Sequence, residues 1–209
     1  MLDKRVAYYE MVMRMDGQRV RLVEEPTLPD GFSFATFQPG DELAWAQVET
    51  SVLEFDSVSD ALSYFTRSFM PYPHMLRERC LFVLDAKRRA VATATAWRID
   101  GETRSWCCLH WVAVRPEYQG LGLGRAVVAK ALRRFADLHP DEDVWLHTQT
   151  WSHRAVRLYR SLGFYLVRQE SLPSLSGGQT APNEFDAAIV SLRGVLPDSL
   201  LQDWIDTAR

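Results

Sequence analysis

The stretch Val112-Ala113-Val114-Arg115-Pro116-Glu117-Tyr118-Gln119-Gly120-Leu121-Gly122-Leu123-Gly124-Arg125 decides how the rest of the chain is read. Trp106–Val114 is almost continuously apolar, as a strand buried on both faces must be. Glycine then stands at alternate positions, 120, 122 and 124. Val127, Val128, Ala131, Leu132, Phe135 and Leu138 follow at helical spacing. A buried strand thus runs into a glycine-rich loop that opens directly into an amphipathic helix. Glycine lets backbone approach a ligand closely, and the first amides of a helix have no partner within it. The partial positive charge of a helix N-terminus completes an assembly suited to phosphate or pyrophosphate.

Two common phosphate loops fail on spacing. A Walker loop needs Lys-Ser/Thr after its last glycine, whereas Arg125-Ala126 follows Gly124. A dinucleotide loop needs G-x-G-x-x-G, but counting from Gly120 that last position is Arg125, and from Gly122 it is Val127. The pattern present is Q-x-x-G-x-G, with Gln119, Gly122 and Gly124. Preceded by its V-A-V-R-P-E-Y strand, it resembles the acetyl-CoA-binding motif of the GCN5-related N-acetyltransferase (GNAT) superfamily. A second stretch, Ser152-His153-Arg154-Ala155-Val156-Arg157-Leu158-Tyr159-Arg160-Ser161-Leu162-Gly163-Phe164, is similar to that family's A-x-x-L-Y-x-x-x-G-F signature. It falls one strand later, in the family's order.

The resemblance implies a mixed α/β fold. Its central sheet is mostly antiparallel with one splayed parallel strand pair, and helices cover both faces. It also implies an acetyl-CoA-dependent N-acetyltransferase that moves an acetyl group directly to a primary amine of a small molecule or peptide. Acetyl-CoA is the co-substrate and no metal is expected. In the family the pantetheine arm pairs with the first strand of the splay. The backbones of Val112, Ala113 and Val114 would line that arm, and the Val112 amide would polarise the thioester carbonyl. Backbone amides from Gln119 through Gly120, Leu121, Gly122, Leu123, Gly124 and Arg125 would hold the pyrophosphate. Ser152 and Ala155 would border CoA from the second motif; Ser152 stands where the family often has Asn, which removes an amide contact. Tyr159 matches the general acid that returns a proton to the CoA thiolate, a role suited to a phenol that stays protonated at neutral pH.

The general base is open to more than one residue. His110 is the first candidate, two residues before Val112 and of a type that titrates near neutral pH. His147 comes second, then Glu49 and Glu54. The acceptor wall is expected from the first two helices, their connection and the last strand pair. That region carries Trp45, Phe55, Tyr64, Tyr72 and His74, favouring an apolar or aromatic amine, and Glu49, Glu54 and Asp56, favouring a cationic one. Cys107 and Cys108 read as small strand residues.

Outward from these motifs, composition sets the class. The chain has 209 residues, 47% apolar and 24% charged, with a formal charge of −3. That suits one packed domain and argues against nucleic-acid binding through phosphate neutralisation. No apolar run approaches the ~20 residues that span a bilayer. Three cysteines, Cys80, Cys107 and Cys108, make a poor disulfide framework, and their spacing is not that of a zinc site. With no signal-peptide pattern, the expected location is the cytoplasm.

The coarse pattern predicts strands at Phe32–Phe37, Cys80–Leu84, Ala90–Ile99, Trp106–Val114 and Val144–Thr150. It predicts helices along Leu43–Val52, from near Ser59 to Pro71, after Gly124, and from Ser152 to Leu162. Val6–Met15 and Arg19–Glu25 read as an N-terminal hairpin around Asp16-Gly17. Phe164–Gln169 and Phe185–Leu192 read as a closing strand pair, Ser171–Asn183 as a loop, and Asp198 as a helix cap. The GNAT-like domain then covers 32–192, flanked by extensions 1–31 and 193–209 that contact a second copy in a homodimer or cover a sheet edge. The alternative function is a degenerate domain that holds acyl-CoA as a sensor or structural ligand; a nucleotide-binding α/β module unrelated to CoA is a third.

Overall fold

The computed structural model of the chain describes residues 2–101, 104–173 and 180–209. The strands are β1 (Glu10–Met15), β2 (Ser33–Thr36), β3 (Cys80–Leu84), β4 (Ala90–Asp100), β5 (Ser105–Val114), β6 (Val144–Gln149) and β7 (Tyr165–Val167). They form one seven-stranded sheet in the order β2-β3-β4-β5-β6-β1-β7. Every neighbouring pair is antiparallel except β5 and β6. The helices are α1 (Gly17–Val20), α2 (Glu42–Ser51), α3 (Val58–Ser68), α4 (Pro73–Arg79), α5 (Leu123–Leu138), α6 (His153–Leu162), α7 (Phe185–Leu192) and α8 (Asp198–Thr207). A small ribbon, β8 (Leu172–Pro173) with β9 (Thr180–Ala181), stands apart from the sheet.

Strand alternation sorts side chains to the two faces. Met11, Met13 and Met15 of β1 join one core with Val127, Phe135, Tyr159 and Trp204, from α5, α6 and α8. Val12 turns the other way, into a core with Trp45, Phe65, Phe69 and Leu76 from α2, α3 and α4. Adjacent Cys107 and Cys108 likewise split between the two cores. The helices end where their residues dictate. Ser57 caps α3 by accepting the Asp60 N–H at 3.1 Å. Gly163, at φ 113°, closes α6, and Phe164 N–H reaches back to Tyr159 O at 3.1 Å.

Three expectations are corrected. The N-terminal hairpin is absent: Asp16-Gly17 reverses the chain into α1, whose Val20 is buried, rather than into a second strand. β1 is no peripheral extension, because it pairs with β6 on one side and β7 on the other. Phe185–Leu192 is helix α7 and not a strand. With β1 filling the place beside β7, this segment packs on the face through Phe185, Ala188, Ile189 and Leu192, a helical spacing. Helix α4 also forms just beyond Pro71, where no helix was expected, because Pro73 occupies its first turn. The expected loop Ser171–Asn183 contains β8 and β9, and its positions 174–179 lie outside the described residues.

Candidate active site

The site begins where the one parallel pair comes apart. β5 and β6 pair only at Cys107↔Val144 and Cys108↔Trp145, and beyond these they diverge. On its other side β5 stays on β4, with Arg115 N–H donating to Val91 O at 2.9 Å. Backbone groups alternate sides along a strand, so Ala113 faces β4 while Val112 and Val114 turn their N–H and C=O toward the gap. A bulge sits just before them. His110 pairs with Thr95 and Ala113 with Thr93, so β5 carries an extra residue. Trp111 absorbs it at φ 52°, a left-handed conformation that a bulky residue adopts only when its surroundings enforce it. Trp111 is packed by Trp45, Phe55 and Tyr64, with ring centroids 5.5, 5.1 and 5.0 Å away.

The glycine-rich turn leaves β5 through a 3-10 turn, Pro116–Tyr118. Gln119 folds back, and its Nε2 donates to Val114 O at 2.9 Å. Gly122, at φ 80°, is the residue before α5, and no acidic side chain lies in that helix's first turn. The first turn therefore presents amides without a neutralising carboxylate. Gly124 sits where a Cβ would make ordinary contact with Val114 Cγ2 at 3.4 Å and Leu158 Cδ2 at 3.5 Å.

Two cavities meet at this point. One, about 320 Å³, runs along Val112–Val114 and the glycine-rich turn, with Ser152, Arg154, Ala155 and Leu158 opposite. The other, about 300 Å³, lies between the splayed strands and is bordered by Glu49, Tyr64, His110, His147 and Tyr159. Glu54, Val112, Ser152 and Ala155 line both. Of the residues expected to hold CoA, all but Leu121 and Arg125 line the first cavity. Those two border a separate groove beside α1, and Arg125 Nη1 is bonded to Ser161 Oγ at 2.8 Å. Ser152 precedes α6 without a side-chain capping bond.

The inner cavity carries two acidic side chains, Glu49 and Glu54. Glu49 is fully buried and neither of its carboxylate oxygens has a hydrogen-bond partner. Burial, reinforced by Glu54, raises its pKa well above the ordinary 4.5. Burial raises Glu54 as well, with Lys4 opposing. His110 also lacks a partner at Nε2, and burial with His147 nearby drives its pKa down to about 3. Tyr159 packs edge-on against Phe164, and burial raises its phenol pKa, so it is a neutral proton donor at any working pH. Cys107 is pushed up to about 12 by burial and Glu142, and burial raises Cys108 further, which leaves both as poor nucleophiles.

Sequence reading and structure diverge over the acceptor wall. Of the five aromatic and histidine residues expected there, only Tyr64 lines the cavity, while of the three acids Glu49 and Glu54 line it. Trp45 is core, Phe55 packs behind Trp111, and Tyr72, the residue before α4, and His74, within it, are exposed. Asp56 is exposed too. Tyr8 and Arg154 were missed. Tyr8 reaches the cavity only because β1 enters the sheet, and its hydroxyl donates to Glu10 Oε1 at 3.0 Å. Arg154 had a readable signal, a cation in the first turn of the second motif's helix beside the first cavity.

Spacing gave no reason to expect a metal ligand set, yet Cys107, His139 and Glu142 converge, with ligand atoms within 4.8 Å of one another. Guanidinium groups already meet them. Arg98 Nη1 lies 3.1 Å from His139 Nδ1 and 2.9 Å from Glu142, and Arg79 Nη2 lies 2.9 Å from His139 Nε2.

Comparison with known proteins agrees with this geometry. A family model described as acetyltransferase (GNAT) family matches residues 45–164. The mycothiol acetyltransferase of Thermobispora bispora is 33% identical over 147 residues, 66% of this chain and 48% of that protein. The mycothiol acetyltransferase of Rothia mucilaginosa is 28% identical over 172 residues, 75% of this chain and 49% of that protein. The chain thus spans about half the length of the curated relatives it matches. Among solved structures, a GCN5-related N-acetyltransferase from Sphaerobacter thermophilus shares the fold at TM-score 0.56 and 24% identity, over 77% of this chain and 49% of that one. A tandem GNAT protein from the clavulanic acid biosynthesis pathway does so at TM-score 0.57 and 18% identity, over 78% and 51%.

Proposed function

From the premise that this chain belongs to the acetyltransferase (GNAT) family and is an acyltransferase, we propose that it transfers an acetyl group from acetyl-CoA directly to a primary amine. The observation that carries this reading is the meeting of the two cavities at Glu54, Val112, Ser152 and Ala155. A pantetheine arm lying along Val112–Val114 would present its thioester at that junction. The free backbone of Val112, held by the Trp111 bulge, would donate to the thioester oxygen as it becomes an oxyanion, and such a donor is worth about 2.7–4 kcal/mol. The amides at the start of α5, with Arg154 nearby, would hold the phosphates.

The amine enters from the inner cavity. Its nitrogen attacks the carbonyl carbon, the new C–N bond forms, and the C–S bond breaks. Glu49 takes the proton lost by nitrogen, and Tyr159 gives its phenolic proton to the departing thiolate. Solvent then resets both groups. Glu49 replaces His110 as proton acceptor in this scheme. A histidine whose pKa is held near 3 is a weak base, whereas burial makes the Glu49 carboxylate a stronger base than an ordinary one. His110 serves instead as a neutral hydrogen-bonding group on the cavity wall. Acceptor and donor are both small molecules on this reading, and the reaction takes place in the cytoplasm.

The test combines ligand binding with one variant. Acetyl-CoA should raise the melting temperature through mass action, and no shift at millimolar ligand rules out the donor assignment. Tyr159→Phe should lower kcat by about 10²–10⁴-fold while leaving the acetyl-CoA-induced shift in place. Equal loss of both would make Tyr159 a packing residue only.

A further inference from the structure

We infer, resting on the acetyltransferase reading above, that the inner cavity selects a compact cationic amine whose carbon bearing nitrogen carries no carboxylate. Its ammonium sits between the carboxyls of Glu49 and Glu54, ringed by Tyr8, Tyr64 and Trp111.

Three independent observations converge on that class. The first is an unmet need. Glu49 is fully buried with both oxygens unpartnered, an arrangement that is costly unless a donor or cation arrives. A ligand ammonium supplies three N–H donors and the opposite charge, and Glu54 lies on the same wall to share them. The second is a charge division between the cavities. No lysine or arginine is among the described residues lining the inner cavity, whereas Arg154 lines the donor cleft. A carboxylate brought into the inner cavity would face two acidic side chains with no lysine or arginine among the described lining residues to meet it.

The third is the aromatic surround. Tyr8, Tyr64 and Trp111 all border the cavity, and Trp111 is fixed by stacking on Phe55 at 26° between ring planes. Aromatic faces attract cations more strongly where water is excluded. Ile99, Leu109 and Leu146 add an apolar stretch of wall beside the polar His147, Thr148 and Gln149, and the cavity's 300 Å³ lies at the small end of ligand pockets. The body of the amine is therefore small. The two tendencies that the sequence left unresolved, aromatic and acidic, are joined in one recognition site.

The experiment measures equilibrium binding to the full chain, first with acetyl-CoA and then with three probes in the presence of CoA. The probes share one body: 2-phenylethylamine, phenylalaninamide and phenylalanine. The two amines without a carboxylate should bind at least tenfold more tightly than phenylalanine. Glu49→Gln should reduce that preference to within about threefold, and Glu54→Gln serves as the second variant if Glu49→Gln does not fold. Phenylalanine binding as well as its amide, or neither carboxylate-free amine binding at 10 mM, overturns the inference while an acetyl-CoA shift leaves the acetyltransferase reading standing. Absence of an acetyl-CoA shift removes that reading instead, and the same probe preference, measured on the chain without CoA, still decides the cavity's selectivity.

Discussion

Glu49 holds the most telling side chain in the molecule, a fully buried carboxyl with no hydrogen-bond partner on the wall of the inner cavity. Its raised pKa fixes the sign of a stability effect. Below the ordinary value of 4.5, Glu49 is protonated in folded and unfolded chains alike. As pH rises past that value the unfolded chain ionises first, so folding stability falls until the folded-state pKa is passed. Glu49→Gln should therefore gain melting temperature relative to the parent as pH goes from 5 to 8. A difference that is constant across that range would show that Glu49 is ionised when folded. His110 has the opposite sign: its pKa of about 3 against the ordinary 6.5 gives stability present above 6.5 that is lost as pH falls toward 3. At this scale the sequence was half legible. Tyr159 and His110 could be picked from motif and strand position, but the ranking of Glu49 over His110 depends on burial, which no residue announces by itself.

Elements show why some local signals held and others did not. The strand from Trp106 and the helix from Leu123 were readable because their periodicity agrees with their surroundings. Gly163 likewise marked the end of α6, and the bonds it allows hold Tyr159 in register. Asp16-Gly17 misled. Its glycine is required by proximity and not by a hairpin, because a Cβ at Gly17 would fall 2.2 Å from Asp141 O. The Gly17 amide also donates to Asp143 Oδ1 at 2.9 Å, tying the end of β1 to the start of β6. Gly17→Ala should accordingly destabilise the chain by about 3 kcal/mol, read from a denaturant midpoint. A loss under about 0.5 kcal/mol would mean that this junction yields freely. The Trp111 bulge had no sequence signal, since tryptophan is among the residues least expected at positive φ.

For the whole molecule, the decisive fact is where β1 sits. It lies inside the sheet between β6 and β7, with Met11, Val12, Met13 and Met15 all buried. Deleting residues 2–15 would leave two strands without a shared partner and open both cores. The truncated chain should lose its cooperative thermal transition and its near-UV circular dichroism. A truncation that melts cooperatively would establish residues 32–192 as a self-sufficient domain. The same strand carries Tyr8's neighbourhood into the acceptor cavity, so packing and recognition depend on one element.

The sequence by itself determined the family and most of the central elements. These rest on local patterns, such as glycine spacing, strand and helix periodicity and capping residues, whose effects act over a few neighbouring positions. Tertiary structure alone decided the place of β1, the helical state of Phe185–Leu192, the bulge at Trp111 and the enclosure of Glu49. Each of these follows from which distant segments compete for one sheet position or shut water out of one cavity, and such competition is settled by the free energy of the whole fold.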